Sequence, residues 1–223
     1  MSATSSAATT HAHPPTEPIP KSRFSELATE EQIQRVIAAL GANGITASVV
    51  RDRAEAVRTV LDLIPNRSEV LDGSSQTLVA LGLNESLADP SRFRNIRAEL
   101  LRLRQEKQDD AQRKLGAAPD VIVGSVHAIT EKGQVVIASA SGSQLGPYVY
   151  GAGKVIWVAG TQKIVPDLDT AFQRIEEYTL PLESARAQAA YGFSSFVGKL
   201  LVIQREHVPG RIHLVLIREN LGF

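Results

Sequence analysis

The stretch EVLDGSSQTLVALGL, residues 69–83, decides the fold of this chain. It begins with the short run Glu69-Val-Leu71, which predicts a strand. The polar loop 72–77 follows, and a helical stretch then runs to Leu83. A strand that passes through a polar loop into a helix is the repeating unit of α/β proteins with parallel sheets.

The same alternation continues on both sides of this stretch. Upstream, Thr29 and Gln32 form a capping box for a helix that ends near Gly41, and residues 45–50 form a strand. Downstream, apolar runs predict strands over 120–123, 134–138 and 155–159, and the last is apolar throughout, as in strands buried on both faces. We therefore expect an α/β fold with a mostly parallel central sheet flanked by helices, including N-terminal helices.

The two ends of the chain differ in character. Residues 1–22 contain four prolines and almost no large apolar side chain, which predicts a disordered tail. Residues 23–223 are expected to form one α/β domain. Asp167 predicts the start of a helix that ends at Leu180-Pro181, and residues 182–190 a further helix. At the C-terminus, strands over 199–205 and 211–217 with a turn at 208–210 predict a β-hairpin, with Glu206 and Arg211 paired across the turn.

The composition excludes several classes of function. The 223 residues contain 24 Lys+Arg, 24 Asp+Glu and no cysteine, so the formal net charge is zero. Without cysteine, the chain cannot form a disulfide, a thiolate zinc site, an iron–sulfur cluster of its own or a cysteine nucleophile. The balanced charge argues against nucleic-acid binding. No apolar run is long enough to span a membrane, and no secretory signal is recognised, so a cytoplasmic protein is expected.

The loop after the predicted strand 69–71 is the first candidate site. Gly73 allows a sharp turn, and hydroxyl groups beside the free N–H groups of a helix N-terminus stabilise an anion. Ligands in open α/β sheets bind at the carboxyl ends of the strands. The alternative is that the polar side chains only cap the helix. The candidate ligand-binding residues of the loop are Gly73, Ser74, Ser75, Gln76 and Thr77.

A second candidate is the turn between two predicted strands that contains Glu131 and Gly133. A glycine two residues after a glutamate presents the carboxylate at a tight turn, where it could act as a catalytic or ligand-orienting acid. The alternative is a plain β-turn with a solvated glutamate. His127 lies just upstream and could carry a proton near neutral pH, or it could be structural. His207 and His213 have no metal-ligand spacing, and no metal site is expected.

The segment 91–115 predicts a helix, broken once at most, with Phe93, Ile96, Leu100 and Leu103 as its apolar stripe. It contains eight Lys/Arg and four Asp/Glu, a local charge of +4. This charge is typical of a solvated helix face, and the alternative is a rim that attracts an anionic ligand or a partner. A glycine-rich turn at 151–154 is not a phosphate-binding loop, because Tyr148 and Val155 occupy required Gly and Ser/Thr positions.

The order of these motifs resembles the LUD domain, the lactate utilization protein C family. The resemblance rests on residues 71–83, on 120–124 with 128–133, on 155–171 with its Lys163-Ile-Val-Pro166 stretch, and on the tail 207–216. It covers roughly residues 30–220. Residues 192–200 depart from the pattern of the family, since the usual Thr and Asp are missing.

The resemblance implies a fold like that of ribose-5-phosphate isomerase, glucosamine-6-phosphate isomerase and the CoA transferases. It implies that residues 73–77 bind an anion and that Glu131 stands where some CoA transferases have a nucleophilic glutamate. Glu131 and His127 are therefore the catalytic candidates, and Gly133 and Lys163 join residues 73–77 as ligand-binding candidates. It also implies an accessory or subunit of an L-lactate oxidation system, whose iron–sulfur clusters would lie in partner proteins. The alternatives are a stand-alone enzyme or binding protein for a phosphorylated or CoA-like molecule, and an inactive scaffold.

Overall fold

The structure, a computed structural model, describes residues 22–223. Residues 1–21 of the predicted tail lie outside this range, and Ser22, the last residue of that prediction, caps a short 3₁₀ helix at Arg23–Ser25. The α/β fold class is confirmed, because a six-stranded parallel sheet flanked by helices forms the centre of the molecule.

The strands and helices follow one another along residues 22–223 in an α/β alternation. The strands are β1 Thr46–Val50, β2 Glu69–Asp72, β3 Arg94–Asn95, β4 Val121–Gly124, β5 Ala128–Thr130, β6 Val135–Ser139, β7 Lys154–Gly160, β8 Ile164–Val165, β9 Lys199–Ile203 and β10 Ile212–Ile217. The helices are α1 Glu30–Ala42, α2 Arg53–Leu63, α3 Gln76–Ala80, α4 Leu83–Leu87, α5 Arg97–Gln105, α6 Asp109–Ala117, α7 Leu168–Arg174 and α8 Leu180–Tyr191. A 3₁₀ helix covers Thr161–Lys163, and π-helical segments cover Pro147–Gly151 and Ile175–Thr179.

The large sheet has the strand order β1-β10-β7-β4-β2-β3, and each neighbouring pair is parallel. Both of its faces are buried. Ile122 and Trp157 belong to a core on the side of α1, whereas Val123 and Val158 belong to a core on the side of α2. This two-sided burial explains why β4, β7 and β10 are almost continuously apolar, as the sequence indicated for residues 155–159.

A second sheet has the order β8-β5-β6-β9, and it corrects the predicted C-terminal hairpin. The two predicted strands exist, but β9 pairs antiparallel with β6, whereas β10 lies between β1 and β7 in the large sheet. The burial of the two strands explains the separation. Every residue of β10 except His213 is fully buried, which requires a central position, whereas β9 is partly exposed at a sheet edge.

Three predicted helices also differ from the structure. Residues 91–96 of the predicted helix 91–115 contain β3, which pairs with β2, and the rest forms α5 and α6. The stretch expected to run as one helix to Leu83 is the short helix α3, followed by the start of α4. The helix begun by Asp167 does not end at Pro181, because the π-helical segment Ile175–Thr179 leads directly into α8, whose second residue is that proline. Within residues 22–223, none of the helices has the length and apolar character needed to cross a membrane.

The turn between β5 and β6 packs directly against α1. Gly133 has a φ of +75°, and a Cβ atom at this position would lie 2.7 Å from the backbone carbon of Ala39. Asn43 donates a hydrogen bond to the carbonyl oxygen of Lys132. The turn therefore needs glycine for its backbone conformation and for its close contact with the helix.

Replacing Gly133 with alanine should lower the free energy of unfolding by about 1–3 kcal/mol more than the matched change Gly192→Ala. Gly192 also has a positive φ, +78°, but no atom lies within 4 Å of the position of its Cβ. Both variants therefore carry the backbone penalty, and only Gly133→Ala carries the clash with α1. Urea denaturation measures both, and equal losses would show that the turn does not pack tightly on α1.

Arg211, just before β10, anchors a second buried contact. Its side chain is 8% exposed and pairs with Glu206 at 2.7 Å. It also donates to the carbonyl oxygens of Ala152, Pro147 and Tyr148, at 3.0–3.1 Å. The expected contact between Glu206 and Arg211 is therefore present, but it fastens the π-helical segment Pro147–Gly151 to the large sheet rather than closing a hairpin.

The change Arg211→Met should lower the free energy of unfolding by about 3–5 kcal/mol, because the Glu206 carboxylate would remain buried without its cation. The control Arg102→Met removes an exposed pair with Glu106 and should cost about 0.5 kcal/mol or less. Chemical denaturation of the two variants compares these losses. A small effect of Arg211→Met would mean that water replaces the guanidinium.

Candidate functional site

Four chain segments leave the carboxyl ends of neighbouring parallel strands and meet at one edge of the large sheet. They are residues 73–77 after β2, 125–127 after β4, Thr161–Lys163 after β7 and 218–223 after β10. In this sheet the chain passes from β2 to β3 on one side and from β4 to β7 on the other, so the connections that leave the neighbouring strands β2 and β4 diverge. Such a divergence opens the crevice in which open α/β sheets bind ligands.

Lys163 connects these four segments through its side-chain amine. Nζ lies 3.1 Å from the hydroxyl oxygen of Thr77 and 3.0 Å from that of Ser125. It also donates to the carbonyl oxygens of Val126, at 3.0 Å, and Phe223, at 3.3 Å. The structure thus brings together Lys163 and Thr77, two of the residues singled out in the sequence, and adds Ser125 to them.

The environment of Lys163 is unusual for a lysine. The residue is only 1% exposed, and within residues 22–223 no carboxylate side chain forms an ion pair with it. Burial, and then the nearby charge of Arg174, hold the pKa of Lys163 well below its usual range. A buried amine without a side-chain carboxylate partner can gain a proton when an anion approaches and lose it when the anion leaves.

The C-terminal segment covers this cluster. The carbonyl oxygen of Leu221 accepts hydrogen bonds from the Thr77 hydroxyl at 3.2 Å and from the Gln162 amide at 3.0 Å. Gly222 lies so close to Thr77 that a Cβ atom there would meet the threonine hydroxyl oxygen at 2.4 Å. Access to Lys163 therefore depends on the position of residues 221–223.

The rest of the predicted loop lies at the rim of the cluster. The Gly73 N–H donates to the carbonyl oxygen of Val123 at 2.8 Å, and Ser75 caps α3 through its hydroxyl. Ser74 is exposed, and its hydroxyl accepts a hydrogen bond from Arg97 at 3.2 Å. Gln76 is the first residue of α3, and the five residues of this helix give it a small dipole.

Asp72 is a buried acid that contacts Arg97 at the rim of the cluster. Asp72, at the end of β2, accepts hydrogen bonds from the side chains of Asn84 and Asn95. Arg97 lies 3.6 Å from the Asp72 carboxylate and donates to its backbone carbonyl oxygen at 2.8 Å. Arg97 belongs to the basic segment 91–115 and is 38% exposed, so it is the cation of that segment that reaches the loop.

His127 lies next to the cluster in a neutral form. Its Nδ1 accepts a hydrogen bond from the N–H of Ala138, which assigns the proton to Nε2. Burial, together with the charges of Lys163 and Arg174, lowers the pKa of His127 to about 3. A proton-carrying role for His127 stays a prediction, and in this environment its imidazole is a donor at neutral pH rather than a base that charges readily.

The turn with Glu131 makes a different set of contacts. Its carboxylate accepts hydrogen bonds from Arg35 at 3.0 Å and Gln32 at 3.1 Å, both on α1, and these bonds hold the pKa of Glu131 below its usual value. Glu131 is 24% exposed. No hydrogen bond among residues 22–223 joins Glu131 or Gly133 to Lys163 or Thr77. A catalytic role for Glu131 stays a prediction.

Three functional candidates escaped the sequence reasoning: Ser125, Arg97 as an individual residue, and Arg174. Ser125 follows the strand β4, so its position at a strand end was a usable signal. Arg174 is an interior residue of a helical stretch, and nothing in the local pattern distinguishes it from a solvated arginine.

For His213 the structure gives a contact with the Ser48 hydroxyl at 3.0 Å, and residues 22–223 contain no cluster of three His, Asp or Glu side chains placed to hold a metal.

Comparison with known proteins gives the family of the chain. The crystal structure of a DUF162 family protein from Deinococcus radiodurans superimposes with a TM-score of 0.52 and 12% identity, covering 89% of this chain and 98% of that chain. The eIF2B beta structure from Chaetomium thermophilum is more distant, with a TM-score of 0.35, 14% identity, and coverage of 66% of this chain and 60% of that chain. No curated protein sequence matches. The family model of the LUD domain matches residues 33–217, and the chain therefore belongs to the LUD domain family.

Proposed function

We propose that this chain binds a small carboxylate at the carboxyl edge of the large sheet, in contact with Lys163. The observation that carries the proposal is the buried amine of Lys163, held by two hydroxyls and two main-chain oxygens, with no side-chain carboxylate partner in residues 22–223. A buried ammonium without a counter-charge is costly, and a bound anion would supply that charge.

The contacts of Lys163 suggest how the anion would enter. Three of its four oxygen partners follow β2 and β4, whereas the fourth belongs to Phe223, which is half-buried. An oxygen of the ligand would replace that oxygen if Phe223 moved, and Leu221 would keep its place in the apolar core. The exposed Ser74 hydroxyl and Arg97 lie at the rim and would attract the anion before it reaches Lys163.

Membership of the LUD domain family supports a more specific proposal. We propose L-lactate as the carboxylate and a role as an accessory or subunit of an L-lactate oxidation system. The cysteine-free chain offers no thiolate for an iron–sulfur cluster, so the electrons would be carried by iron–sulfur partner proteins. A second candidate is a phosphorylated or CoA-like ligand, favoured by the exposed Ser74 hydroxyl beside Arg97.

The test is isothermal titration calorimetry of the full chain with L-lactate, inorganic phosphate and CoA, each alone. L-lactate should bind saturably to the wild type, and Lys163→Met should weaken the binding about tenfold or more, the effect of losing a charge-assisted hydrogen bond. Lys114→Met, at an exposed position on α6, is the matched control and should leave the affinity unchanged. Binding of phosphate or CoA without L-lactate would favour the second candidate, and no binding of any of the three would contradict the proposal and leave an inactive scaffold.

Binding of the carboxylate should also take up a proton. In the free protein the pKa of Lys163 is lowered by burial, and the bound anion raises it, so the protonated form is the one that binds. The affinity should be highest below the pKa of the free protein and fall as the pH rises from there towards the pKa of the complex. Titrations in buffers of different ionisation enthalpy measure the proton uptake, and Lys163→Met should abolish it. A pH-independent affinity would contradict the role of Lys163.

A further inference from the structure

Arg174, the last residue of α7, is a second buried cation and lies outside the proposed carboxylate site. It is 0% exposed, and within residues 22–223 no carboxylate pairs with it. Its Nη1 atom donates to the carbonyl oxygen of His127 at 2.6 Å and lies 3.0 Å from the hydroxyl oxygen of Thr179. Its Nε and Nη2 atoms have no hydrogen-bond partner in this part of the chain.

The two free nitrogens lie on the same edge of the guanidinium. Nε and Nη2 form the side-on fork with which arginine holds a planar oxyanion through two parallel hydrogen bonds. Both atoms of this fork are buried and lack a hydrogen-bond partner among residues 22–223.

The surroundings of the fork contain further unsatisfied polar groups. Eight buried side-chain nitrogen and oxygen atoms in residues 22–223 lack a partner; two are the fork atoms of Arg174, and four more belong to Tyr178 and to segments linked to it through Phe24 and Ser25. Arg174 lies 5.2 Å from the ring of Tyr178, and that ring packs on Phe24. Asn220 donates to the backbone of Ser25. The six atoms belong to Thr161, Gln162, Arg174, Tyr178 and Asn220.

The charge state of Arg174 distinguishes it from Lys163. Burial lowers the pKa of Arg174 to about 10, so the guanidinium keeps its charge at neutral pH. Burial also raises the pKa of the Tyr178 hydroxyl, which therefore stays a hydrogen-bond donor. A buried charge without a side-chain carboxylate partner is costly, and a bound anion would lower that cost.

We propose that Arg174 holds a small planar oxyanion of the carboxylate type in the interior of the protein, through its Nε and Nη2 atoms and with the help of the Tyr178 hydroxyl. This anion site lies next to the cluster around Lys163, close enough for the charge of Arg174 to contribute to the lowered pKa of Lys163. The site uses hydrogen-bond donors of its own, because the two cations share no hydrogen-bond partner. It does not depend on the function proposed for Lys163.

Formate is the probe, because it is the smallest carboxylate. In the Lys163→Met background, which removes the other site, formate should raise the midpoint of thermal unfolding saturably, by about 5–10 °C at about 100 times Kd. Sodium chloride at equal ionic strength should not reproduce the shift. Arg174→Lys keeps the charge but loses the fork and should abolish the shift, and Tyr178→Phe should raise the Kd. The matched control Arg186→Lys, at a surface pair with Glu183, should leave the shift intact.

A crystal structure of the wild type grown in sodium formate keeps the test independent of the variants. Planar density within hydrogen-bond distance of Nε and Nη2 would support the site. Water alone at this position, or a thermal shift that Arg174→Lys leaves unchanged, would overturn it. Loss of L-lactate binding in Lys163→Met with the formate effect retained would separate this site from the function proposed above.

Discussion

The buried amine of Lys163 is the interaction on which the functional edge of the molecule depends. Through it, the segments that follow β2, β4, β7 and β10 are joined at one point, because their oxygens share its hydrogens. Each of these strands is fixed in the sheet by its own ladder and by two apolar cores. The segments beyond the strand ends have no such ladder, and the amine provides the contact that orders them relative to one another.

Although the formal net charge is zero, charged side chains have different roles on the surface and in the interior. On the surface, basic and acidic side chains pair locally, as in the i,i+4 contact between Arg102 and Glu106, and such pairs contribute little to stability. In the interior, Lys163 and Arg174 are buried without carboxylate partners among residues 22–223. The local excess of positive charge predicted for the segment 91–115 reaches the site through Arg97 alone, by way of Asp72 and Ser74.

Features encoded by a few neighbouring residues could be predicted from the sequence. The capping box of Thr29 and Gln32, the cap at Asp167 and the buried strand β7 belong to this group, because each depends on contacts within one turn or on one apolar run. The pairing partners of β9 and β10 could not be predicted, since two neighbouring strands satisfy a hairpin equally well until the burial of both faces is known. The same limit hid β3, whose two residues form a strand only because β2 lies beside them.

In the candidate site, too, local features could be predicted from the sequence and long-range contacts could not. Position after a strand was enough to indicate residues 73–77, and Thr77 lies in the cluster, but the partners of Thr77 come from residues 86 and 48 positions away. The turn at Glu131 had the residue types of a catalytic acid, yet its nearest cation, Arg35, lies 96 positions upstream, on α1. Residue type therefore indicated which groups can do chemistry, and only the long-range contacts decide which of them face one another.

The two buried cations should respond to their surroundings in different ways. Lys163 can lose its proton when no anion is present, so its burial need not leave a charge in the interior. Arg174 keeps its proton at neutral pH, so its burial leaves a charge that the carbonyl dipole of His127 and the ring of Tyr178 offset only in part. An amine that switches its charge suits a ligand that comes and goes, whereas a permanent guanidinium suits an anion that stays with the fold.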